Sequence, residues 1–310
     1  MDQELIIIGG GPAGMTAALY ALRAGRRVLL LEADTCGGQI THTAQVDNYP
    51  GLPGISGLEL ADRMLEQILD LGAVVEPDRA SALSRIAGGW RVTGEFGAYE
   101  APAVIYAAGT THRQLDVPGE AQRVGRGVSF CAVCDGAFYA GQHVAVVGGG
   151  NTALQEIALL AETCAKVTVV QNLATLTGEQ RMIDLLQSKD NIEYVYNTVV
   201  DAYLTEDGAF RGLRLHHTDT ETFSDLVVDG AFLAIGTEPE NGPFAGVSTL
   251  NDWGYIQADE GCQTGPRGIY AAGDCRTKAI RQLTTAAGDG AVAGLAACRY
   301  VENVPAGSSL

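Results

Sequence analysis

Residues Glu4-Leu5-Ile6-Ile7-Ile8 are apolar without alternation once the first is passed, the pattern of a strand covered on both faces. The run stops at Gly9-Gly10-Gly11-Pro12-Ala13-Gly14. Helical spacing of apolar positions then continues to Ala24, with Gly25 as the stop. Arg27-Val28-Leu29-Leu30-Leu31 predicts a second buried strand, ending at Glu32. The same order returns in the middle of the chain. Gln142 to Val147 is strand-like, Gly148-Gly149-Gly150-Asn151-Thr152-Ala153 follows, a helix pattern runs to about Thr163, and Lys166 to Val170 is the next strand. Similar runs, Val104 to Thr110 and Ala231 to Thr237, close each half, and a third, Gly268 to Asp274, lies near the C-terminus. Gln282 to Arg299 is Ala-rich and predicts a helix despite Gly288, Gly290 and Gly294. Tyr20, on an apolar face of the first helix, is expected in the core.

This repeat predicts an α/β protein with two Rossmann-like dinucleotide-binding domains, the second inserted into the first. The expected parts are 1–115 and 244–310 for the outer domain and 116–243 for the central one. Linkers are expected near 113–117 and 241–247, close to Pro118 and Pro243. The turn in the first copy is G-x-G-x-x-G between strand and helix, with an acid, Glu32, eighteen residues after Gly14. Glycines there let backbone approach a pyrophosphate, the helix start offers N–H donors, and the carboxylate accepts from ribose hydroxyls. In the second copy Ala153 holds the third Gly position. The residue at the spacing of Glu32 is Gln171, a neutral amide.

Composition narrows the function. The 310 residues include 40 Gly, about twice the usual share, without the triplet period of a fibrous protein. Twenty Lys and Arg against 37 Asp and Glu leave a formal charge of −17. Nucleic acid and anionic membranes need clustered cations, so both are excluded as expected partners. No apolar run is long enough to span a bilayer, and Asp2 and Glu4 stand where an export signal is basic; a cytoplasmic protein is expected.

Seven cysteines are scattered, and only Cys131 and Cys134 are close. A zinc site needs two further ligands at ordinary spacing, and none is present, so no metal is expected. Two sulfurs three residues apart at a helix start favour a dithiol–disulfide couple, with a thiolate stabilised by the helix terminus. Asp135 follows at once and is a candidate for the proton that thiol exchange moves. Cys36, Cys164, Cys262, Cys275 and Cys298 are expected as small core fillers.

Taken together, Gly9 to Gly14, Cys131-Ala132-Val133-Cys134-Asp135, Gly148 to Ala153, Gly273-Asp274 and Arg281-Gln282 resemble the low-molecular-weight thioredoxin reductases over essentially the whole chain. The resemblance implies a homodimeric flavoprotein that reduces a thioredoxin-like protein. FAD would lie on the outer domain, held by the turn Gly9, Gly11, Pro12, Ala13 and Gly14 and by Glu32. Further along the chain, Gly38, Gln39, Asn48 and Gly109 would join it. The C-terminal part would add Gly273, Asp274, Arg281 and Gln282. Cys134 would face the flavin, Cys131 would attack the partner disulfide, and Asp135 would be the general acid.

The second cradle departs from the family pattern. Members that use NADPH carry a His-Arg-Arg run after this strand, and those guanidiniums grip the 2′-phosphate. Here the stretch is Gln171-Asn172-Leu173-Ala174-Thr175-Leu176-Thr177, with Arg181 the nearest cation. The expected donor is therefore not NADPH. Reduced ferredoxin, as in flavin-dependent reductases of this family that lack the Arg motif, is the first expectation. NADH, or weakly bound NADPH, is the alternative. A dithiol oxidase is a second alternative, but its relatives tend to carry His where this chain has Asp135.

Overall fold

The unbroken apolar run becomes the strand Leu5–Ile8, with all four residues buried. It pairs in parallel with Val28–Glu32 on one side and Ala103–Tyr106 on the other, Leu5 lying opposite Val28 and Ala103. Val74–Pro77 and Ile269–Ala271 complete the five-stranded sheet at its two edges. The last strand comes from near the C-terminus, so the chain leaves this sheet and returns. In this computed structural model, residues 3–43, 45–46 and 48–303 are described; Asp2 lies outside them.

The reason for the missing alternation is that both faces are covered. Leu5, Ile7, Leu30 and Ile105 pack against the helix Pro12–Arg23 and the long helix Leu283–Asn303. Ile6, Ile8, Leu29 and Leu31 meet Trp90, Val92, Phe244 and Ile256 on the opposite face.

The second parallel sheet repeats the plan. His143–Val147 is central, with Lys166–Val170 and Ile192–Val195 on one side and Gly230–Leu233 and Val128–Ser129 on the other. One face carries the helix Asn151–Thr163 through Leu154, Ile157 and Leu160. The other faces an antiparallel sheet of Thr198–Glu206, Ala209–His217 and Thr222–Val227, through Phe210, Leu213 and Leu215. A three-stranded antiparallel sheet, Ala82–Ile86, Gly89–Thr93 and Ala98–Ala101, belongs to the first sheet's half.

The chain divides into two compact units, Met1–Ala44 with Tyr49–Thr111 and Glu238–Leu310, and Gln45–Asn48 with His112–Thr237. Both main crossings fall in a short ribbon, Thr110–His112 beside Thr237–Pro239, slightly before the expected linkers. Strand pairing, which needs partners far apart in sequence, marks the crossing instead of proline punctuation. Among the described residues no helix is long and apolar enough to cross a membrane.

The long C-terminal helix explains its own glycines. A Cβ on Gly290 would run into the Ala13 carbonyl oxygen, and one on Gly294 would come 2.8 Å from that of Ala17. Small residues there let two helix backbones approach closely. The same narrow seam corrects the expectation for Tyr20, which is 40% exposed: Ala17, Ala18 and Ala21 fill the buried side of the first helix. Gly288, by contrast, has open space around its Cβ position. Gly290→Ala is therefore expected to destabilise the protein by roughly 1–3 kcal/mol through overpacking. Gly288→Ala is expected to stabilise it by about 0.5–1 kcal/mol through helix propensity. Urea unfolding of the two variants measures both signs.

Candidate active site and nucleotide cradles

The sequence Cys131-Ala-Val-Cys134-Asp135 folds as one short helical turn, Ala132–Asp135, with Cys131 as its extended N-cap. Cys131 and Cys134 form a disulfide with their Cα atoms 5.3 Å apart. The Cys134 backbone N–H donates to the Cys131 sulfur at 3.2 Å, and the Asp135 N–H donates to the Cys131 carbonyl at 3.0 Å. Ser129 ties the turn down. Its hydroxyl donates to Asp135 Oδ2 at 2.7 Å and accepts from the Cys131 N–H at 3.0 Å. Burial raises the Asp135 carboxyl above its ordinary range, and the Ser129 hydrogen bond opposes this. The cysteines and Asp135 are all half-buried, while Val133 between them is exposed. Beneath the turn, Ala132 is fully packed, and its N–H lies beside the Glu156 carboxylate and favours its ionised form.

Most of the residues expected around the first cradle come together in the discontinuous unit. Gly9 has φ +103°, and a Cβ there would strike the Ala107 carbonyl; one on Gly14 would strike the Gly9 carbonyl. At Gly11 there is open space, and Pro12 begins the helix. These are the three uses of glycine in a pyrophosphate turn: a tight bend, an open approach and close helix packing. Glu32 accepts from the Gly10 N–H at 2.5 Å and from the Asp34 N–H at 2.9 Å, which aligns its carboxylate beside the turn. Gly38, at φ +56°, lies against Gly11, and the Gln39 side-chain amide donates to Thr110, to the carbonyl and, at 3.2 Å, to the hydroxyl. Gly109 has φ +70° with open space around it.

From the C-terminal part, Gly273 packs on Ala13 and its N–H donates to Asp289 Oδ2 at 3.0 Å. Asp274 Oδ1 is buried without a partner among the described residues, and burial raises its carboxyl despite Lys278 and Arg281. A buried acceptor without a donor is the place for a ligand hydroxyl. Arg281 stacks on Tyr255 at 4.1 Å and donates to the Asp274 carbonyl at 3.4 Å. The Gln282 N–H donates to the Thr285 hydroxyl at 3.1 Å. Asn48 is exposed and lies in the Gln45–Asn48 segment, which groups with the other unit and not with this cluster. The open Gly11 approach and the orphaned Asp274 oxygen fit FAD.

The second cradle keeps the backbone of the first and changes its lining. A Cβ on Gly148 would strike the Ala234 carbonyl, while Gly150 is open except for Thr177 Oγ1 at 3.9 Å. Gln171 is buried under Gly149, where a Cβ would come 2.5 Å from its amide nitrogen. That nitrogen donates to the Thr175 carbonyl at 3.0 Å. The following loop folds onto the turn: the Thr177 N–H donates to the Gly149 carbonyl at 2.8 Å, and the Glu179 N–H to Asn151 Oδ1 at 2.7 Å. Arg181 is exposed in the first turn of the helix Gln180–Gln187.

Two groups escaped the sequence reading. Asp289, on the long helix, accepts from Arg276 at 2.8 and 2.9 Å and from Lys278 at 3.0 Å. Burial pushes its carboxyl up, but these cations outweigh that and hold it below the usual range. The basic pair directly after Gly273-Asp274 was the available clue. Glu156, the other, carried none. Of the remaining cysteines, Cys164, Cys262, Cys275 and Cys298 are buried, and burial pushes Cys275 up to about 12. Cys36 is only half-buried, beside Glu32, and its thiol is also raised by burial and by that carboxylate.

These features have close counterparts. Residues 3–290 match the pyridine nucleotide-disulphide oxidoreductase family. The thioredoxin reductase of Listeria monocytogenes is 39% identical over 97% of this chain and 94% of its own length. That of Bacillus subtilis is 39% identical over 97% and 95%. The crystal structure of thioredoxin reductase from Streptococcus pyogenes superposes with a TM-score of 0.92 at 37% identity, covering 97% of this chain and 98% of that one. The chain belongs to the pyridine nucleotide-disulphide oxidoreductases, in the company of the bacterial thioredoxin reductases, and is an FAD-dependent disulfide oxidoreductase.

Proposed function

We propose that this enzyme reduces the disulfide of a thioredoxin-like protein and draws its electrons from reduced ferredoxin instead of NADPH. The first half rests on the Cys131–Cys134 disulfide at the start of its helical turn and on the named relatives. The second half rests on Gln171. No cation or carboxylate stands where a 2′-phosphate or a ribose would be read, and the Gln171 amide nitrogen is engaged with Thr175. NADH is the second reading, because the Gly148 to Gly150 turn keeps its open approach. The dithiol oxidase reading is weaker, since Asp135 follows the second cysteine. Five unpaired cysteines accord with a reducing, cytoplasmic setting, and the enzyme would act as a homodimer.

In this reading FAD is held by the Gly9 to Gly14 turn, Glu32, Gly38, Gln39, Gly109, Gly273 and Asp274, with Arg281 and Gln282 beside them and Asn48 joining from its segment. Bound there, it supplies an electron pair. The chain's own residues manage sulfur and protons. Cys134 is the sulfur on the flavin side. Cys131 is the nucleophile toward the partner disulfide, and the Cys134 N–H that donates to its sulfur would stabilise the thiolate it becomes. Asp135, raised by burial and steadied by Ser129, would supply the proton that thiol exchange moves.

Cys131→Ser is expected to lower thioredoxin-dependent turnover by at least about 10³-fold while the yellow flavin stays bound, because the variant keeps the outer cradle and loses the nucleophile. Unchanged turnover would remove the assignment. Anaerobic titration with NADPH, NADH and reduced ferredoxin, following the flavin absorbance, tests the donor. Ferredoxin is expected to bleach the band at stoichiometric amounts; tight, stoichiometric bleaching by NADPH overturns the reading of Gln171.

A further inference from the structure

Glu156 sits in the middle of the helix Asn151–Thr163, under the turn that carries the cysteines. Its carboxylate lies beside the Ala132 N–H, the first donor of that turn, which favours the ionised form. Its Oε2 is buried and has no partner among the described residues. Ala132 is packed against this helix, and a Cβ on Gly136 would touch Leu160 of the same helix at 3.1 Å, so the cysteine turn has little freedom to move away. The carboxyl thus lies under the backbone between the two cysteines, with its Oε2 buried and without a partner among the described residues.

The elements packed against this helix carry other titratable groups, none of which shifts the Glu156 carboxyl. Asp135 and Tyr139 lie on the segment packed above, Arg181 and Asp184 on the helix Gln180–Gln187, and His143 and Lys166 at the starts of the two strands below. Asp135 is held by Ser129. Burial pushes the Glu156 carboxyl up to about 8, against the lowering effect of the Ala132 N–H, and no opposite charge pairs with it.

We propose that Glu156 is a positioning residue that couples proton uptake to the redox state of the Cys131–Cys134 pair. Opening the S–S bond takes two electrons and one proton, and leaves a Cys131 thiolate and a Cys134 thiol. The electrons come from the flavin of the established activity. The thiolate is stabilised by the N–H groups of the same turn whose first N–H lies beside Glu156. Two anions on one helical turn disfavour each other. The thiolate therefore raises the proton affinity of Glu156, and, by reciprocity, an ionised Glu156 disfavours the thiolate. Where Glu156 is ionised in the oxidised protein, reduction draws a second proton from solvent onto its carboxyl. The pair becomes harder to reduce as pH rises than its thiols alone would make it.

The inference rests on the redox role of Cys131 and Cys134, and the test separates the two. Holoenzyme and Glu156→Gln are equilibrated with glutathione redox buffers from pH 6 to pH 10. Thiols are then trapped by alkylation, and the peptide holding both cysteines is quantified by mass. The equilibrium constant for opening the disulfide is expected to be equal in the two proteins at pH 6, and about tenfold larger in Glu156→Gln at pH 9, the size of one charge–charge interaction near a surface. A constant unchanged at both pH values, or shifted equally at both, overturns the proposal, the latter because a purely structural effect does not depend on pH. If Glu156→Gln does not fold, the holoenzyme decides alone. Proton uptake that drops to one per electron pair above the first thiol pKa, and stays there, overturns the coupling; a return towards two supports it. A pair that never opens in the buffers removes the redox reading and this inference together.

Discussion

The first cradle depends on one backbone contact, the approach of the Gly14 Cα to the Gly9 carbonyl, where no side chain fits. It joins the end of a buried strand to the start of a helix with the helix N–H groups facing outward. In the second unit Gly148 meets the Ala234 carbonyl as Gly9 meets that of Ala107, while Ala153 stands in the place of Gly14. With the strand ends and helix starts set, the acids and amides that follow the second strands of each sheet arrive beside the turns. Glu32 and Gln171 then sit under Gly10 and Gly149 in matching places, and the change from carboxylate to amide is one difference between the two cradles, beside the loop that folds onto the second.

The redox turn depends on a different balance, between polar groups withdrawn from water and the few donors that satisfy them. Ser129 serves both the Cys131 N–H and the Asp135 carboxylate, and the Ala132 N–H lies beside the Glu156 carboxylate. Two carboxyls, on the cysteine turn and on the helix packed beneath it, are each raised by burial. The overall charge of −17 offers no long-range pull on acidic protein partners.

Fold class was legible because its signals are short. Buried parallel strands read as unbroken apolar runs, and a pyrophosphate turn needs its glycines within six residues. The cysteine pair was legible for the same reason. Tyr20 was misjudged because helical periodicity reports which face is apolar, but not how wide the seam against Leu283–Asn303 is; alanines filled it and left the ring outside. The Asp289 cluster joins residues thirteen and eleven positions apart around a turn, and only the packing of the long helix brings them together. Glu156 looked like any polar helix position until the cysteine turn was laid over it.

The sequence by itself determined the two strand–turn–helix copies, the insertion of one within the other and the presence of a closely spaced dithiol, since each follows from neighbours along the chain and from side chains too small or too apolar for another role. Tertiary structure decided which polar groups lose their water and which donors replace it. Gln171 turning its amide to Thr175, Asp274 keeping an oxygen without a partner and Glu156 meeting the Ala132 N–H are all outcomes of packing between distant segments. The energy of a buried polar atom depends on that three-dimensional neighbourhood and not on the residues beside it in sequence.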